Sequence, residues 1–285
     1  MSTLKIEHKY NDKKTGVWAE LVCDSIWNGD RITTLVLRLP RIALAELNTH
    51  CALSRKSASS RAIPAKTFRE KVQADPYIPW RWPVNGKGMV PASYQDHRPV
   101  AAFIWRTALF CAATLHRGLS RLGVHKEVAN RLLEPWLFTE VLITATEWQN
   151  FLNQRCHPAA QDPIRAGAEC IRDLLAQSVP VEREMHLPYI TEEELRAPYE
   201  RGVVALASAR RCRRVSYMKQ GVAVPLLEDA REGLSGLKED PPHMSPYEDM
   251  AVHTPGRHAK LVGWQSLRDM VETGVVTVEQ LEAML

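Results

Sequence analysis

Residues 18 to 27 (WAELVCDSIW) and 31 to 39 (RITTLVLRL) set apolar or β-branched residues at roughly alternate positions, and Asn28-Gly29-Asp30 stands between them. A period of two places successive side chains on opposite faces of a strand, and Asn-Gly tolerates the positive φ angles of a tight turn. The chain is therefore expected to open with a β-hairpin, and the later segments must pack on a sheet. Pro40 leads into RIALAELNTH, where Leu47 lies at helical spacing from Ala43 and Leu44, and His50 from Glu46; this predicts a helix with His50 at its end.

Further along, the pattern predicts a helix from Pro64 to about Ala74 and an ordered irregular loop over 75–95, which holds four prolines, two glycines and two tryptophans. A long helix from about His97 to Leu122 stops before Gly123, and a shorter one from His125 to Leu133 stops before Pro135. Residues 136–146 (WLFTEVLITAT) read as a strand. Helices are predicted at 147–154, 161–178, 192–212 (kinked or broken at Pro198), 225–236, 263–272 and 277–284, the last opened by a Thr277–Gln280 capping box. The stretch 237–260 reads as loose. No linker or repeat divides the chain, so residues 1–285 are expected to form a single catalytic domain.

Composition narrows the function classes. Thirty-seven Lys+Arg against thirty-three Asp+Glu leave a formal charge of +4, too mild to require a polyanion or a membrane surface. The six cysteines are scattered, with no C-x-x-C pair and no zinc spacing, so neither a disulfide framework nor a metal is expected. The first thirty residues hold no apolar run, and the apolar stretches at 100–115 and 136–145 are interrupted by Arg106 and Glu140. The expectation is a soluble, cytoplasmic protein.

Four segments carry chemistry. Thr49 to Arg61 holds serines and cations with almost nothing large and apolar, which suits either a phosphate cradle or a polar surface loop. It is not a P-loop, and no dinucleotide glycine motif occurs. Asn150, Asn153 and Gln154 share one neighbourhood of a predicted helix that ends at Arg155; an arginine among amides can recognise a planar oxygen-bearing ring, although a solvated helix face has the same look. Arg210, Arg211, Arg213 and Arg214 could contact nucleic acid or form a solvated helix end. His243 to Asp249 mixes titratable and hydroxyl groups in a short span.

Read together, these segments resemble the flavin-dependent thymidylate synthases, and their phage-type members in particular. The family signature is an R-H-R or T-H-R triplet, seven residues, and a serine leading into S-x-R; Thr49-His50-Cys51 stands at that spacing before Ser59-Ser60-Arg61, and Thr49 to Pro64 is similar to the phage-type form. Gly123 to Lys126, Asn130 to Pro135, Asn150 to Arg155 and Ala160-Gln161 look like further family elements in order. Arg214-Val215-Ser216-Tyr217 and His243 to Asp249 resemble elements that ordinarily precede the triplet, so the order looks circularly permuted, and residues 214–249 are expected to fold back onto residues 46–61.

The resemblance implies an α+β fold with helices packed on an antiparallel or mixed sheet. It implies conversion of dUMP to dTMP with FAD, NADPH and methylenetetrahydrofolate, in a homotetramer of the cytoplasm, the host's if the chain is phage-encoded. By motif match, Glu46, Ser59, Ser60, Arg61, Arg131 and Arg155 would bind dUMP, with Arg155 the catalytic residue. Thr49, His50, Cys51, Thr144, Thr146, Asn150, Ser216, His243 and Ser245 would bind FAD. Three departures stand out: Cys51 replaces an arginine, Lys56 an asparagine, and Asp249 a histidine, and Lys56 could restore the charge lost at Cys51. The alternatives are a relative that makes 5-hydroxymethyl-dUMP, and a non-catalytic nucleic-acid-binding protein using Arg210 to Arg214.

Overall fold

The opening hairpin is present and longer than its apolar stretches. In the computed structural model, which describes residues 4–217 and 224–285, β1 (Lys5–Tyr10), β2 (Lys13–Trp27) and β3 (Asp30–Pro40) run antiparallel in succession. Trp27 pairs with Asp30, and Asn28 and Gly29 both take positive φ, 50° and 89°. Two left-handed residues in a two-residue loop match the twist of the flanking strands, which is why Asn-Gly stands there.

A 3₁₀ turn at Arg41–Ala43 leads into α1 (Leu44–Asn48), β4 (Ser54–Ser57), α2 (Ala65–Ala74) and a small hairpin of β5 (Trp82–Val84) and β6 (Ser93–Gln95). Then come α3 (Pro99–Arg121), α4 (Lys126–Ala129), a 3₁₀ stretch at Asn130–Trp136, β7 (Phe138–Ala145), α5 (Gln149–Arg155) and α6 (Asp162–Gln177). Short strands β8 (Val181–Glu182) and β9 (Met185–His186) precede α7 (Glu192–Arg196), α8 (Arg201–Arg213), a 3₁₀ turn at Arg214–Tyr217 and α9 (Leu226–Leu237). A 3₁₀ turn at Ser245–Glu248, β10 (Ala251–His258), β11 (Leu261–Ser266), α10 (Leu267–Glu272) and α11 (Val278–Ala283) close the chain.

The main sheet has the order β1-β2-β3-β7-β4, with β8 parallel beside β2. Helices cover both faces, giving the expected α+β class. Leu35, Leu37, Leu39, Val141 and Ile143 pack against Ile164, Ile171 and Leu174 of α6. On the other face Val36 and Leu142 meet Leu206 of α8 and Leu234 of α9. Strands β3 and β7 are thus buried on both sides, and the polar residues they carry on the α8 face must find partners inside the protein.

Several expectations are corrected. The loop expected at 51–61 contains a strand, β4, paired with β7 from Ser54↔Thr144 to Ser57↔Val141. The latter part of the loose stretch 237–260, from Ala251, and the start of the helix expected at 263–272 are instead the β10–β11 hairpin, with the helix beginning only at Leu267. This hairpin sits on the first turn: Trp264 Nε1 donates to the Asp30 carbonyl at 3.2 Å and His253 meets the Asp30 carboxylate at 3.0 Å. The 192–212 helix is broken around Pro198 into α7 and α8, and the Thr277–Gln280 capping box is formed. Helix α3 is long and apolar enough to cross a membrane by length and composition, and little of it is buried. It leaves Val100, Phe103, Ile104, Phe110 and Leu115 more than 60% exposed.

Helices α8 and α9 approach closely at Gly233, where an added methyl would strike the Leu206 carbonyl. The Gly233 carbonyl also accepts the hydroxyl of Tyr247, which lies in the 245–248 turn. Gly233→Ala is expected to destabilise by about 1–3 kcal/mol through overpacking. A calorimetric scan should show Tm falling by roughly 2–4 °C for each kcal/mol; an unchanged Tm would show that the helix pair yields without cost.

Candidate active site

The α8 face of the sheet carries a buried polar chain that crosses four strands. Register places Thr34 of β3 and Ser54 of β4 on either side of Thr144 of β7. The Thr144 hydroxyl lies 2.7 Å from that of Thr34 and donates to Asp249 Oδ1 at 2.9 Å. Asp249 Oδ2 accepts from Lys56 Nζ at 2.5 Å. In the other direction Thr34 meets His186 Nε2 at 2.7 Å, and His186 Nδ1 meets Ser25 at 2.9 Å. Burial drives the His186 pKa down to about 3, so the ring is neutral and takes part by hydrogen bonding. Burial also pushes the Asp249 carboxyl up, and raises the Cys212 thiol beside it well above its ordinary range. Neither Thr34 nor His186 stands out in the sequence, because each looks like an ordinary residue until the strands are paired.

Lys56 is therefore not a stand-in for the arginine missing at Cys51. Its side chain is 4% exposed and its ammonium is committed to an aspartate that is fully buried. Cys51 itself is exposed, its Sγ 3.8 Å from the Thr49 carbonyl, and all six cysteines are free thiols. Thr144, expected to touch flavin, has a fully buried side chain whose hydroxyl is held between Thr34 and Asp249. Thr146 accepts the backbone N–H of Val262 at 3.0 Å and so tethers the β10–β11 hairpin.

At the far end of β4 the triplet and the α5 arginine meet. Arg155 donates from Nε to His50 Nε2 at 2.8 Å and from Nη2 to Thr49 Oγ1 at 3.0 Å and the Glu46 carbonyl at 3.3 Å. His50 Nε2 is therefore an acceptor, and the ring proton sits on Nδ1. The ring packs edge-on to Phe151 at 4.9 Å, and the His50 carbonyl accepts from Arg55. Burial and the neighbouring Arg155 and Arg55 cations lower the His50 pKa. Arg155 is held by one edge of its fork, which leaves Nη1 without a partner among the described residues. Asn150 is exposed and accepts from Gln154 one turn on at 3.1 Å.

The serine turn is fixed from below by Asn130, the first residue of the 130–135 motif, to which the sequence assigned no role. Asn130 is fully buried and donates to the carbonyls of Ser60 at 2.6 Å and Ile63 at 3.1 Å, while its own oxygen faces His116 at 3.0 Å. Arg41 reaches the Ala58 carbonyl at 3.1 Å and shares Glu134 with Arg131. Ser59 is partly buried, and Arg61 and Arg131 face solvent. Ser60 Oγ and Glu46 Oε2 are buried with no hydrogen-bond partner. Such groups are costly unless something else satisfies them, and these two stand at positions expected to hold a nucleotide.

The C-terminal elements do return to this region. The turn 245–248 lies on β4, where Ser54 donates to Glu248 at 2.5 Å. Glu248 also accepts from Lys260 at 3.1 Å and Arg268 at 2.6 Å. Burial opposes its ionisation, yet Ser54 and the cations Lys56 and Lys260 hold it below the ordinary glutamate range. Ser245 opens this turn, while His243, anchored through its N–H to the Gly236 carbonyl at 3.1 Å, has its pKa lowered by burial and by Arg213. The side-chain hydrogen bonds to β4 come from Glu248, at Ser54, and Asp249, at Lys56. The side chain of Ser216 lies outside the described residues. The arginine run is committed inside the protein, Arg210 to Glu232, Arg211 to Glu194 and Asp229, Arg213 to Glu239, and Arg214 to Asp229.

The donor set suits an anionic nucleotide and a flavin. Arg155, with Nη1 open, is joined to Thr49, His50 and the Glu46 backbone at one end of β4, while Ser60, past the other end, adds an unpartnered buried hydroxyl and Glu46 an unpartnered carboxylate oxygen. Among the described residues no three potential metal ligands cluster.

No curated protein matches the chain. Among solved structures, the UMP/dUMP methylase PolB from Streptomyces cacaoi, crystallised with 5-Br dUMP, is similar at 18% identity and a TM-score of 0.42, over 52% of this chain and 67% of that one. The family model described as thymidylate synthase complementing protein matches residues 14–181, more than half of the chain. The chain belongs to that family, the flavin-dependent thymidylate synthases.

Proposed function

We propose that the protein is a flavin-dependent thymidylate synthase that converts dUMP to dTMP with methylenetetrahydrofolate, NADPH and FAD, working as one catalytic domain in the cytoplasm. Family membership supports the reaction class. The observation that carries the assignment to this chain's residues is the pinned Arg155, held by His50, Thr49 and Glu46 with Nη1 open.

FAD, when bound, would supply the reducing electrons and carry the one-carbon unit, with Thr49, His50, Asn150, His243 and Ser245 the groups that would hold it. The chain's own work is positioning and charge. Ser59, Ser60 and Arg61 bind the dUMP phosphate through hydroxyl and guanidinium donors, and Glu46 accepts from the nucleotide. Arg155 lies along the uracil edge and stabilises the negative charge that develops as N3 ionises and carbon 5 becomes nucleophilic. Its fixed geometry means that no reorganisation is needed when the charge appears. No side-chain nucleophile is required, and Cys51 is not assigned as one. The broad exposed apolar face of α3 supports assembly with further copies into the homotetramer of the family.

Arg155→Ala should lower kcat by about 10²–10³-fold, the cost of a lost charge-stabilising donor, while flavin absorbance of the purified protein persists; unchanged turnover would mean that the uracil lies elsewhere. Acid should also weaken the site. Because the fold lowers the His50 pKa, the folded state favours the neutral ring. The contribution of the Arg155–His50 bond is complete above the ordinary histidine value of about 6.5 and is lost as pH falls through the lowered one. Flavin affinity measured by fluorescence should weaken on that acid side, and His50→Gln, which keeps an acceptor but does not titrate, should remove the dependence. A wild-type profile as flat as that of the variant would contradict this role.

A further inference from the structure

Two of the three departures from the family pattern face each other. Lys56 replaces the asparagine of the triplet segment and Asp249 the histidine of the displaced element, and their side chains form one ion pair across 193 residues, Nζ to Oδ2 at 2.5 Å. Both are almost wholly enclosed, 4% and 0% exposed. Among the described residues, each is the other's one ion-pair partner, and the next carboxylate in the field of Lys56 is that of Glu248. Glu248, the next residue, is already taken by Ser54, Lys260 and Arg268, and the second oxygen of Asp249 is held by the neutral Thr144 hydroxyl. A buried charge that loses its ion-pair partner is strongly destabilising, whereas replacing both members by a matched neutral pair costs little. Either departure alone would thus disrupt the site that both together preserve.

We propose that Lys56 and Asp249 are a single reciprocal exchange that positions the 243–249 segment against β4. Through it they set the placement of His243 and Ser245 relative to the His50–Arg155 cluster at the other end of the same strand. They are positioning residues, touching neither flavin nor nucleotide, and the inference rests on the proposed flavin site. The third departure, Cys51, is independent of this pair: its exposed thiol touches neither side chain.

The test is a double-mutant cycle on the full chain: Lys56→Asn, Asp249→His and the combination of both, which restores the family pattern. The readouts are FAD affinity by fluorescence quenching and the visible circular dichroism of the bound flavin, both taken well below the lowest thermal midpoint so that a general loss of stability does not move them. Each single change should weaken FAD binding by about tenfold or more, and the double variant should return to within about threefold of the parent, a non-additivity expected only of coupled residues. If the single variants are insoluble and the double variant is soluble and yellow, the coupling is equally supported. A double variant as weak as the product of the two singles, or singles that bind FAD like the parent, would overturn the proposal. Should all three be insoluble, Lys56→Met with Asp249→Leu replaces the charges by an apolar pair; its failure to fold or to bind FAD would also overturn it. Parent protein that binds no FAD rejects the flavin reading instead, and the thermal midpoints of the same variants then show whether the pair acts as one unit.

Discussion

The candidate site depends on how β4 is held. Its four residues, Ser-Arg-Lys-Ser, have no apolar side chain to anchor a strand, yet they close the edge of the main sheet beside β7. Backbone pairing alone leaves the inward-facing Ser54 and Lys56 under α8 with nothing to satisfy them, and that is costly inside a protein. Glu248 and Asp249 supply the partners. The edge strand, the triplet before it, the serine turn after it and the C-terminal 3₁₀ turn are thereby fastened together. Placing β4 fixes His50 at one end and Ser60 at the other.

The polar chain running from Lys56 through Asp249, Thr144 and Thr34 to His186 and Ser25 gives the sheet a second kind of core. One face of β3 and β7 is conventionally apolar; the other alternates Val36 and Leu142 with hydroxyls. A fully connected buried network permits few alternative arrangements, since any slip in register strands several polar groups at once. It joins residues at the front of the chain to residues after the family-matched region 14–181. The same physics explains the arginine run at 210–214. Four cations there serve as struts between α8, α9 and their neighbours, each matched to a carboxylate.

What is legible in the sequence is what local pattern encodes. Alternation and Asn28-Gly29 reveal the first hairpin, helical spacing and proline placement find α2, α3 and α6, and the capping box marks the start of α11 to the residue. The spaced motifs point to Arg155, Thr49 and His50, which meet in the fold. Two kinds of feature stay hidden. A polar strand such as β4 looks like a loop because its stabilising partners lie far along the chain, and β10–β11 lacks the strong turn dipeptide that betrays the first hairpin. Thr34 and His186 escape notice, and Asn130 is marked only as part of a motif, because their role is to complete hydrogen bonds whose other halves only tertiary structure supplies. The idea that Lys56 offsets Cys51 fails for the same reason: spacing along the chain suggests proximity of function, but strand alternation points Lys56 inward.

The proposed activity is methylation of the uracil of dUMP. The direct measurement is mass analysis of the nucleotide formed when purified protein is given dUMP, isotopically labelled methylenetetrahydrofolate, NADPH and FAD. The expected result is a product with the mass of dTMP that carries the label and forms only when FAD is present. Unreacted dUMP from flavin-loaded protein would contradict it, and a labelled product one oxygen heavier would assign the protein to hydroxymethylation instead.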